Sequence, residues 1–323
     1  MSDDDWTVPP EVAPDPADYA YDLGAALSAI VSIKTVIPAD AFTADVLGTE
    51  RTGNGVVIRA DGLIATIGYL VTEAEEVWIT SADGRSLPGH VIGFDQETGF
   101  GLVQALGRVK MPALSLGNSN AALPGTNVVA AAGGGIDRAM ASRVVARQEF
   151  AGYWEYLLDE AIFTAPAHPY WGGAGLIGPE GDLIGIGSLQ LEHADDEGEN
   201  IPLNMFVPTN LLKPILNDML AIGRPNHPPR PWLGLYATEV DDRVVIAGVA
   251  GKGPAAETLR PGDVVLSVGG MRISGLAGLF RKVWSMGKAG VNVPMTVYRE
   301  GKPVDLTVPS GDRNRFLKGP SLH

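Results

Sequence analysis

Residues 259–270 read LRPGDVVLSVGG, a proline-glycine turn that leads into a run of apolar residues. Glycine after proline allows the chain to reverse, and the apolar run that follows is typical of a short β-strand. Three flanking segments also have strand composition, and a helix is predicted over Leu276 to Met286. The three flanking strands are WLGLYATEV (232–240), VVIAGVA (244–250) and MTVYREGKPVDLTV (295–308). We therefore predict a compact α/β domain over residues 232–312, followed by a tail over 313–323.

A domain boundary is predicted just before this α/β domain. Residues 224–231 read RPNHPPRP, with four prolines in eight residues, and proline-rich segments form stiff linkers. We place the linker at 223–231. Ahead of it, TNLLKPILNDMLAI (209–222) has apolar residues at helical spacing, with Thr209 as the N-cap. This pattern predicts one helix that covers the end of the preceding domain.

The region before that helix is predicted to contain two β units in tandem. Short apolar runs such as GVVIRA and GLVQAL are separated by turns at Asp61-Gly62, Asp83-Gly84 and Glu180-Gly181. This spacing is typical of antiparallel sheets that close into barrels. We predict one domain over 18–222, with barrels at about 25–115 and about 116–208.

Composition and charge exclude several classes of protein. The chain has 323 residues, with 24 Lys and Arg against 38 Asp and Glu, and its net charge of −14 excludes binding to nucleic acid by phosphate neutralisation. The absence of cysteine excludes disulfides, thiolate metal sites and cysteine nucleophiles. We find no apolar stretch long enough to span a membrane. Residues 1–17 are acidic and proline-rich without a secretory pattern, which predicts a disordered tail and a cytoplasmic protein.

The order of these segments resembles the HtrA/DegP-type serine proteases, in which a trypsin-like double β-barrel precedes a PDZ domain. The resemblance covers about residues 25–312, and WLGL and LRPGDVVLSVGG carry it most strongly. In the barrels it is carried by GNGVVIRADGLIATIGYLV (53–71), VIGFDQETGFGLVQA (91–105) and PAHPYWGGAGLIGPEGDLIGI (166–186). It implies a mainly β fold, a chymotrypsin/trypsin-like double six-stranded barrel followed by a PDZ domain.

Other residues stand at the three catalytic positions that the resemblance implies. Tyr69 stands where the family has histidine, Gly99 where it has aspartate, and Trp171 or Gly172 where it has serine. Acyl transfer by serine needs a nucleophile, a base and a group that orients the base, and tyrosine is a poor base at neutral pH. We therefore predict that the chain is not an enzyme, although similarity alone would label it a serine-type endopeptidase.

Aromatic residues surround these vestigial positions. Tyr69, Tyr170 and Trp171 could form an apolar groove for peptides, because aromatic side chains offer rigid contact area. The alternative interpretation is that they fill the void left by the missing catalytic groups.

The working site is predicted in the PDZ-like domain. The resemblance implies that a ligand adds a strand to a sheet edge, while backbone N–H groups of the WLGL loop bind its terminal carboxylate. The predicted binding residues are Arg230, Trp232, Leu233, Gly234, Leu235, Leu276, Leu279, Phe280 and Val283. The alternative is that these residues are ordinary core and that the domain is a fixed lid or an assembly contact. The predicted function is a peptide-binding adaptor, scaffold or chaperone-like subunit whose partners are peptides or protein C-termini.

No cofactor is predicted, but two histidines are candidates for other chemistry. His168, four residues before Gly172, could face Tyr69 or Glu180, or could be a partly exposed loop residue. His193 precedes Asp195 and Asp196, which could gather a hard cation through oxygen ligands or form a solvated loop.

Two other functions stay open. One is residual or metal-assisted peptide hydrolysis that uses His168 or His193. The other is a structural subunit that joins the oligomer of an active relative. The resemblance implies that aromatic residues ahead of the protease domain, here Trp6, Tyr19 and Tyr21, pack protomers into trimers, so a homotrimer or a mixed oligomer is predicted.

Overall fold

The computed structural model describes residues 6–107, 111–194 and 198–319. These residues form two compact units. The first unit holds the described residues up to Gln148 together with Glu160–Asn226, and the second holds Glu149–Asp159 and His227–Lys318. Residues 149–159 thus belong to the second unit although their neighbours in sequence belong to the first.

The strands of the first unit close into two six-stranded antiparallel barrels. The strands of the first barrel are β1 (Ile30–Val36), β2 (Glu50–Val57), β3 (Leu63–Ile67), β4 (Glu76–Thr80), β5 (Ser86–Phe94) and β6 (Phe100–Ala105), in the order β1-β2-β3-β6-β5-β4. Those of the second are β7 (Asn127–Ala131), β8 (Ala139–Gly152), β9 (Tyr156–Ala165), β10 (Gly175–Ile177), β11 (Leu183–Ala194) and β12 (Asn200–Pro208), in the order β10-β11-β12-β9-β8-β7. Closure leaves no open sheet edge, and apolar side chains of both barrels fill their interiors.

The predicted turns join neighbouring strands of these barrels. Gly62, Gly84 and Gly181 lie between β2 and β3, β4 and β5, and β10 and β11, with φ of 85°, 80° and 78°. A side chain with a Cβ atom is disfavoured at such positive φ, so glycine at these positions fixes where each hairpin reverses.

The second unit is a sheet with the strand order β13-β14-β15-β17-β18, and β16 pairs with β15. Its strands are β13 (Leu235–Val240), β14 (Arg243–Val249), β15 (Val264–Val268), β16 (Met271–Arg272), β17 (Asn292–Arg299) and β18 (Lys302–Pro309). The five helices of the described residues are α1 (Leu23–Leu27), α2 (Ala44–Leu47), α3 (Gly68–Val71), α4 (Leu216–Ile222) and α5 (Leu276–Trp284). The apolar face of α5 lies in the core of the second unit.

The predicted helix over 209–222 is shorter than expected. A 3₁₀ turn covers Thr209–Leu211, and the α-helix begins only at Leu216. Thr209 does not cap the helix, because its hydroxyl donates to the carbonyls of Gly117 and Leu183 at 3.3 and 3.1 Å. Tertiary hydrogen bonds thus override the local helical pattern.

The predicted disorder of residues 1–17 is wrong for the described part, which begins at Trp6. Two 3₁₀ turns cover Pro10–Val12 and Pro16–Asp18, and the Val8 N–H donates to the Asp137 carbonyl at 2.9 Å. The Trp6 ring lies 5.2 Å from the ring of His168. Contact with a buried histidine therefore orders a segment whose composition alone predicts disorder. Residues 1–5 lie outside the described residues.

Candidate functional site

The first unit brings together the residues that stand at the implied catalytic positions. The N–H of Gly68, at the start of α3, donates to the Gly99 carbonyl at 2.6 Å, so the turn around Gly99 lies against the backbone beside Tyr69. A Cβ atom added to Gly172 would lie 2.9 Å from the Tyr69 hydroxyl. Tyr69, Gly99 and Gly172 thus share one site.

The Tyr69 hydroxyl is held as a hydrogen-bond donor. It donates to the Ser188 carbonyl at 2.9 Å. Burial raises the pKa of Tyr69 well above its ordinary value, so the phenol is neutral at physiological pH. At this site Tyr69 can position a carbonyl group, but it offers no base.

Asn54, which our sequence analysis missed, fixes the loop that carries Tyr170 and Gly172. Its amide Nδ2 donates to the carbonyls of Tyr170 and Gly172 at 2.9 and 3.1 Å, and its Oδ1 accepts from the Gly133 N–H at 2.9 Å. Its own backbone N–H also donates to the Gly172 carbonyl at 2.8 Å. Asn54 is buried, and a lone asparagine at the start of an apolar run gives no signal of this role.

The same loop is closely packed on both sides. Gly173 has a φ of +74°, and a Cβ atom there would lie 1.9 Å from the Asn54 carbonyl oxygen. A Cβ atom on Gly187 would lie 2.0 Å from the Trp171 carbonyl oxygen. Trp171 and Tyr170 are both half-buried. Two glycines therefore allow the backbone to approach its neighbours, which sets the position of the Trp171–Gly172 segment.

His168 is a buried structural residue and faces neither Tyr69 nor Glu180. Its side chain is fully buried; its Nδ1 accepts from the Tyr170 N–H at 3.0 Å, so its Nε2 donates to the Arg138 carbonyl at 3.0 Å. Burial lowers the pKa of His168 to about 4. The predicted roles of His168 beside Tyr69 and in metal-assisted hydrolysis are therefore wrong, because both ring nitrogens serve the fold.

The predicted metal candidate falls partly outside the described residues. His193 is exposed on β11, where it pairs with Ile201 of β12, whereas Asp195 and Asp196 are not among the described residues. Within residues 6–107, 111–194 and 198–319, no cluster of three metal-ligating side chains is present. Over the same residues no helix is both long and apolar enough to cross a membrane.

The WLGL loop of the second unit already holds a carboxylate. The N–H groups of Leu233, Gly234 and Leu235 donate to the side chain of Glu155 at 3.0, 2.7 and 3.0 Å. Gly234 has a φ of +78°, which aligns the three donors on one acceptor. Three successive backbone donors around one carboxylate form a complete anion-binding loop.

Glu155 is the centre of this arrangement, and our sequence analysis missed it. It is buried, with a φ of +60°. Burial raises the pKa of Glu155 to about 7, while the three backbone N–H groups and the Arg313 guanidinium act to lower it. Arg313 supplies the positive charge near Glu155. Arg230 instead lies over the Trp284 ring, 4.4 Å from its centroid.

The apolar residues predicted for peptide binding lie in the core of the second unit. Trp232 is buried and its ring lies 5.1 Å from that of Phe316, within the predicted tail. One buried cluster contains the remaining apolar side chains together with Leu157 of the 149–159 segment. Its members from the prediction are Leu233, Leu235, Leu276, Leu279, Phe280 and Val283. The predicted loop and the predicted helix face thus pack together in this core, as the alternative interpretation of these residues as core expects, and their role in peptide binding stays a prediction.

Comparison with known proteins agrees with this architecture. Residues 53–186 match the family model of the trypsin-like peptidase domain, and residues 231–309 match that of the PDZ domain. The chain is 28% identical over 275 residues to the probable periplasmic serine endoprotease DegP-like of Pseudomonas fluorescens, covering 80% of this chain and 56% of the relative. It is 26% identical over 272 residues to the periplasmic serine endoprotease DegP of Escherichia coli, covering 79% and 56%.

Solved structures show the same fold. The HtrA-type protease AlgW with tripeptide superposes with a TM-score of 0.54 at 22% identity, covering 95% of this chain and 99% of that one. The serine endoprotease from Yersinia pestis gives a TM-score of 0.54 at 18% identity, covering 90% and 98%. The predicted mainly β fold, a trypsin-like domain followed by a PDZ domain, is thus confirmed.

These comparisons contradict two of our predictions. The relatives are named serine endoproteases, which points to an enzyme and overturns the prediction from Tyr69, Gly99 and Trp171 that the chain is not one. The relatives are also named periplasmic, which contradicts the prediction of a cytoplasmic protein. The chain spans 56% of the length of these curated relatives. The chain thus combines a trypsin-like peptidase domain with a C-terminal PDZ domain, and in sequence and fold it is similar to the HtrA/DegP-type serine endoproteases.

Proposed function

We propose that the chain binds protein segments that end in a free carboxylate, through the WLGL loop and strand β13 of its PDZ domain. The observation that carries this proposal is the set of three N–H groups, from Leu233, Gly234 and Leu235, that converge on the Glu155 carboxylate. A peptide C-terminus offers the same chemical group. Hydrogen bonds to an ionised acceptor are among the strongest in proteins, so this loop is suited to select a terminal carboxylate.

Strand β13 supports the proposal because it is the terminal strand of its sheet. It pairs with β14 on one side, from Leu235↔Val249 to Val240↔Arg243. An edge strand presents backbone donors and acceptors that an incoming extended chain can pair with. Beside it, α5 contributes Leu276, Leu279 and Phe280 to an apolar cluster, which favours ligands with an apolar last residue.

We expect the full chain to bind free-carboxylate peptides with micromolar dissociation constants, and their amidated twins at least about tenfold more weakly, because amidation removes the ionised acceptor. Fluorescence anisotropy with labelled peptide pairs measures this. Gly234→Val is expected to weaken binding at least about tenfold, since Gly234 has positive φ and an added Cβ atom would lie 3.1 Å from Gly253. The matched control is Gly251→Ala, where an added Cβ atom meets open space. Equal affinity for acid and amide peptides would refute the proposal.

A second candidate function is peptide-bond hydrolysis by the trypsin-like domain, which the names of the relatives favour. Their names also favour a periplasmic location for this chain. The Tyr69 hydroxyl supports this candidate, because it lies beside Gly172, one of the implied catalytic positions. A hydrolase built on this site would use Tyr69 as a hydrogen-bond donor to the reacting carbonyl group, which would replace the Ser188 carbonyl as the acceptor.

Digestion of unfolded casein tests this second candidate. If the site hydrolyses peptide bonds, purified protein cleaves casein, and Tyr69→Phe lowers the rate about 10²-fold because it removes one donor. A parallel reaction with a chelator tests metal-assisted hydrolysis. Casein that stays intact, or that Tyr69→Phe digests at the same rate as the unchanged protein, would remove Tyr69 from any catalytic role.

A homotrimer or a mixed oligomer with an active relative stays a prediction. The aromatic residues expected to mediate it pack within one chain, with Trp6 against His168 and Tyr170, and Tyr19 against Tyr21.

A further inference from the structure

Residues 149–159 pack where a ligand of the PDZ domain is expected to bind. They comprise the end of β8, the turn at 153–155 and the start of β9, yet they belong to the compact unit that also contains residues 227–318. Three independent features of this segment resemble those of a bound peptide. They are its carboxylate, its backbone pairing and its apolar side chain.

The carboxylate and the backbone pairing have the register of an added strand. Glu155 contacts the N–H of Leu235, and the carbonyl of Tyr153 accepts from the N–H of Ala237 at 2.9 Å. From the first of these contacts to the second, the residue number falls by two in the segment, from 155 to 153, and rises by two in β13, from 235 to 237. This opposite progression is that of an antiparallel approach, and one backbone hydrogen bond, from Ala237 to Tyr153, joins the segment to β13.

The apolar contact and the ends of the segment complete the resemblance. Leu157 is buried in the cluster that also contains Leu276 and Phe280 of α5. The Arg281 guanidinium of the same helix pairs with the Glu149 carboxylate at 2.5 Å and also with Asp159. Both ends of the segment are therefore attached to α5, and the space between α5 and β13 is called the PDZ groove.

We infer that residues 149–159 are an internal ligand that occupies the PDZ groove and must leave before a peptide can bind. The inference rests on the proposed function, since it assumes that the groove binds peptides. One set of three N–H groups accommodates one carboxylate, so Glu155 and a peptide C-terminus exclude each other. The apparent dissociation constant is then the intrinsic value divided by the fraction of molecules with an open groove.

The segment also indicates the chemistry of the competing ligand. Tyr153 lies two residues before Glu155, and its ring lies 6.0 Å from the ring of Tyr236 on β13. A peptide in the same register would place its third residue from the C-terminus against Tyr236. The ligand is therefore a segment with a free C-terminus, an apolar last residue and an aromatic residue two positions earlier.

The test uses a labelled peptide in the register of the segment itself. Fluorescein-labelled Phe-Ala-Gly-Tyr-Trp-Leu keeps the residues that precede Glu155, and its terminal carboxylate replaces the Glu155 side chain. We expect Glu155→Gln in the full chain to bind it at least about tenfold more tightly than the unchanged protein, because removal of the charged acceptor raises the open fraction. Glu160→Gln is the matched control, since Glu160 is exposed, pairs with Arg147 and undergoes the same change in charge.

A second variant keeps the inference testable if Glu155→Gln does not fold. Glu149→Gln combined with Asp159→Asn removes both partners of Arg281 and leaves Glu155 and the loop unchanged. It is expected to bind the labelled peptide about threefold more tightly, because exposed ion pairs stabilise a closed state only modestly. In hydrogen exchange without peptide, the amides of Leu233–Leu235 are expected to exchange faster in Glu155→Gln than in the unchanged protein.

The outcomes separate the inference from the proposed function. Two proteins, Glu155→Gln and the combined Glu149→Gln and Asp159→Asn, are the hairpin variants. If they bind the peptide with the same affinity as the unchanged protein, the internal ligand is overturned and peptide binding still stands. If none of the proteins binds the free-carboxylate peptide, or if all bind its amidated twin equally well, the proposed function itself fails and the inference fails with it. Tighter binding by the hairpin variants, but not by Glu160→Gln, supports both.

Discussion

Replacement of Arg299 by leucine is expected to lower the free energy of unfolding of the PDZ domain by about 3 kcal/mol. The Arg299 guanidinium donates to both carboxylate oxygens of Asp263, at 2.7 and 2.6 Å. Asp263 is 1% exposed and also accepts from the Arg260 N–H at 2.9 Å. Leucine would leave this buried carboxylate with a single donor, and an unpaired buried charge costs far more than the pair contributes.

The loss is measured by urea unfolding, with hydrogen exchange assigning each transition to one of the two units. Arg272→Ala is the control, because Arg272 is exposed in the same domain and its replacement removes the same charge. Adding Asp263→Asn to Arg299→Leu is expected to recover part of the loss, since the amide is neutral and its oxygen can still accept from Arg260. If Arg299→Leu unfolds with the same free energy as Arg272→Ala, the ion pair between Asp263 and Arg299 does not stabilise the turn.

This pair explains why LRPGDVVLSVGG decides the fold of the second unit. Burial by itself would raise the pKa of Asp263, but the hydrogen bonds from Arg299 and from the Arg260 N–H outweigh it, so the pKa is lowered. The carboxylate ties β15 to β17 at the point where the turn enters the sheet. The turn is recognisable from its local sequence, but its buried aspartate is paired only through Arg299, which is distant in the sequence.

Local signals were sufficient to predict most of the fold. Glycine turns such as Asp61-Gly62 and Glu180-Gly181 and the apolar runs between them predicted strands that the structure contains. The proline-rich segment 224–231 lies where the chain passes between the two units. Such signals depend on neighbouring residues, so one sequence is enough to detect them.

The parts that could not be predicted depend on contacts between distant residues. Glu155 is 78 residues from Leu233, and Asn54 is 116 residues from Tyr170, so no spacing in the sequence links either pair. Composition predicts disorder for residues 6–17. Composition could not show that Trp6 is ordered by contacts with His168 and Tyr170, which are more than 160 residues away in the sequence. The sequence therefore predicted the loop that binds a carboxylate but not the carboxylate that the chain itself supplies.

Acidification is expected to destabilise the trypsin-like unit through His168. Burial lowers the pKa of His168 from its ordinary 6.5 to about 4, so the unfolded chain binds a proton more readily than the folded one between these values. Stability from this residue is complete above about pH 6.5 and is lost as the pH falls towards 4, by on the order of 3 kcal/mol. Asp263, whose pKa is lowered below 3.8, loses its contribution only at more acidic pH.

The variant that isolates this effect is His168→Gln, which offers one donor and one acceptor but does not titrate. Around the ring lie Trp6, Tyr170 and Arg138, whose positive charge also opposes protonation. Between pH 6.5 and pH 4.5 the unfolding free energy of the unchanged protein is expected to fall more steeply than that of the variant, by up to about 1.4 kcal/mol per pH unit. His193→Gln, at an exposed position on β11, is expected to leave the steep slope unchanged. Parallel slopes for the unchanged protein and His168→Gln would mean that the His168 ring binds a proton as readily in the folded protein as in the unfolded chain, contrary to its burial and its two hydrogen bonds.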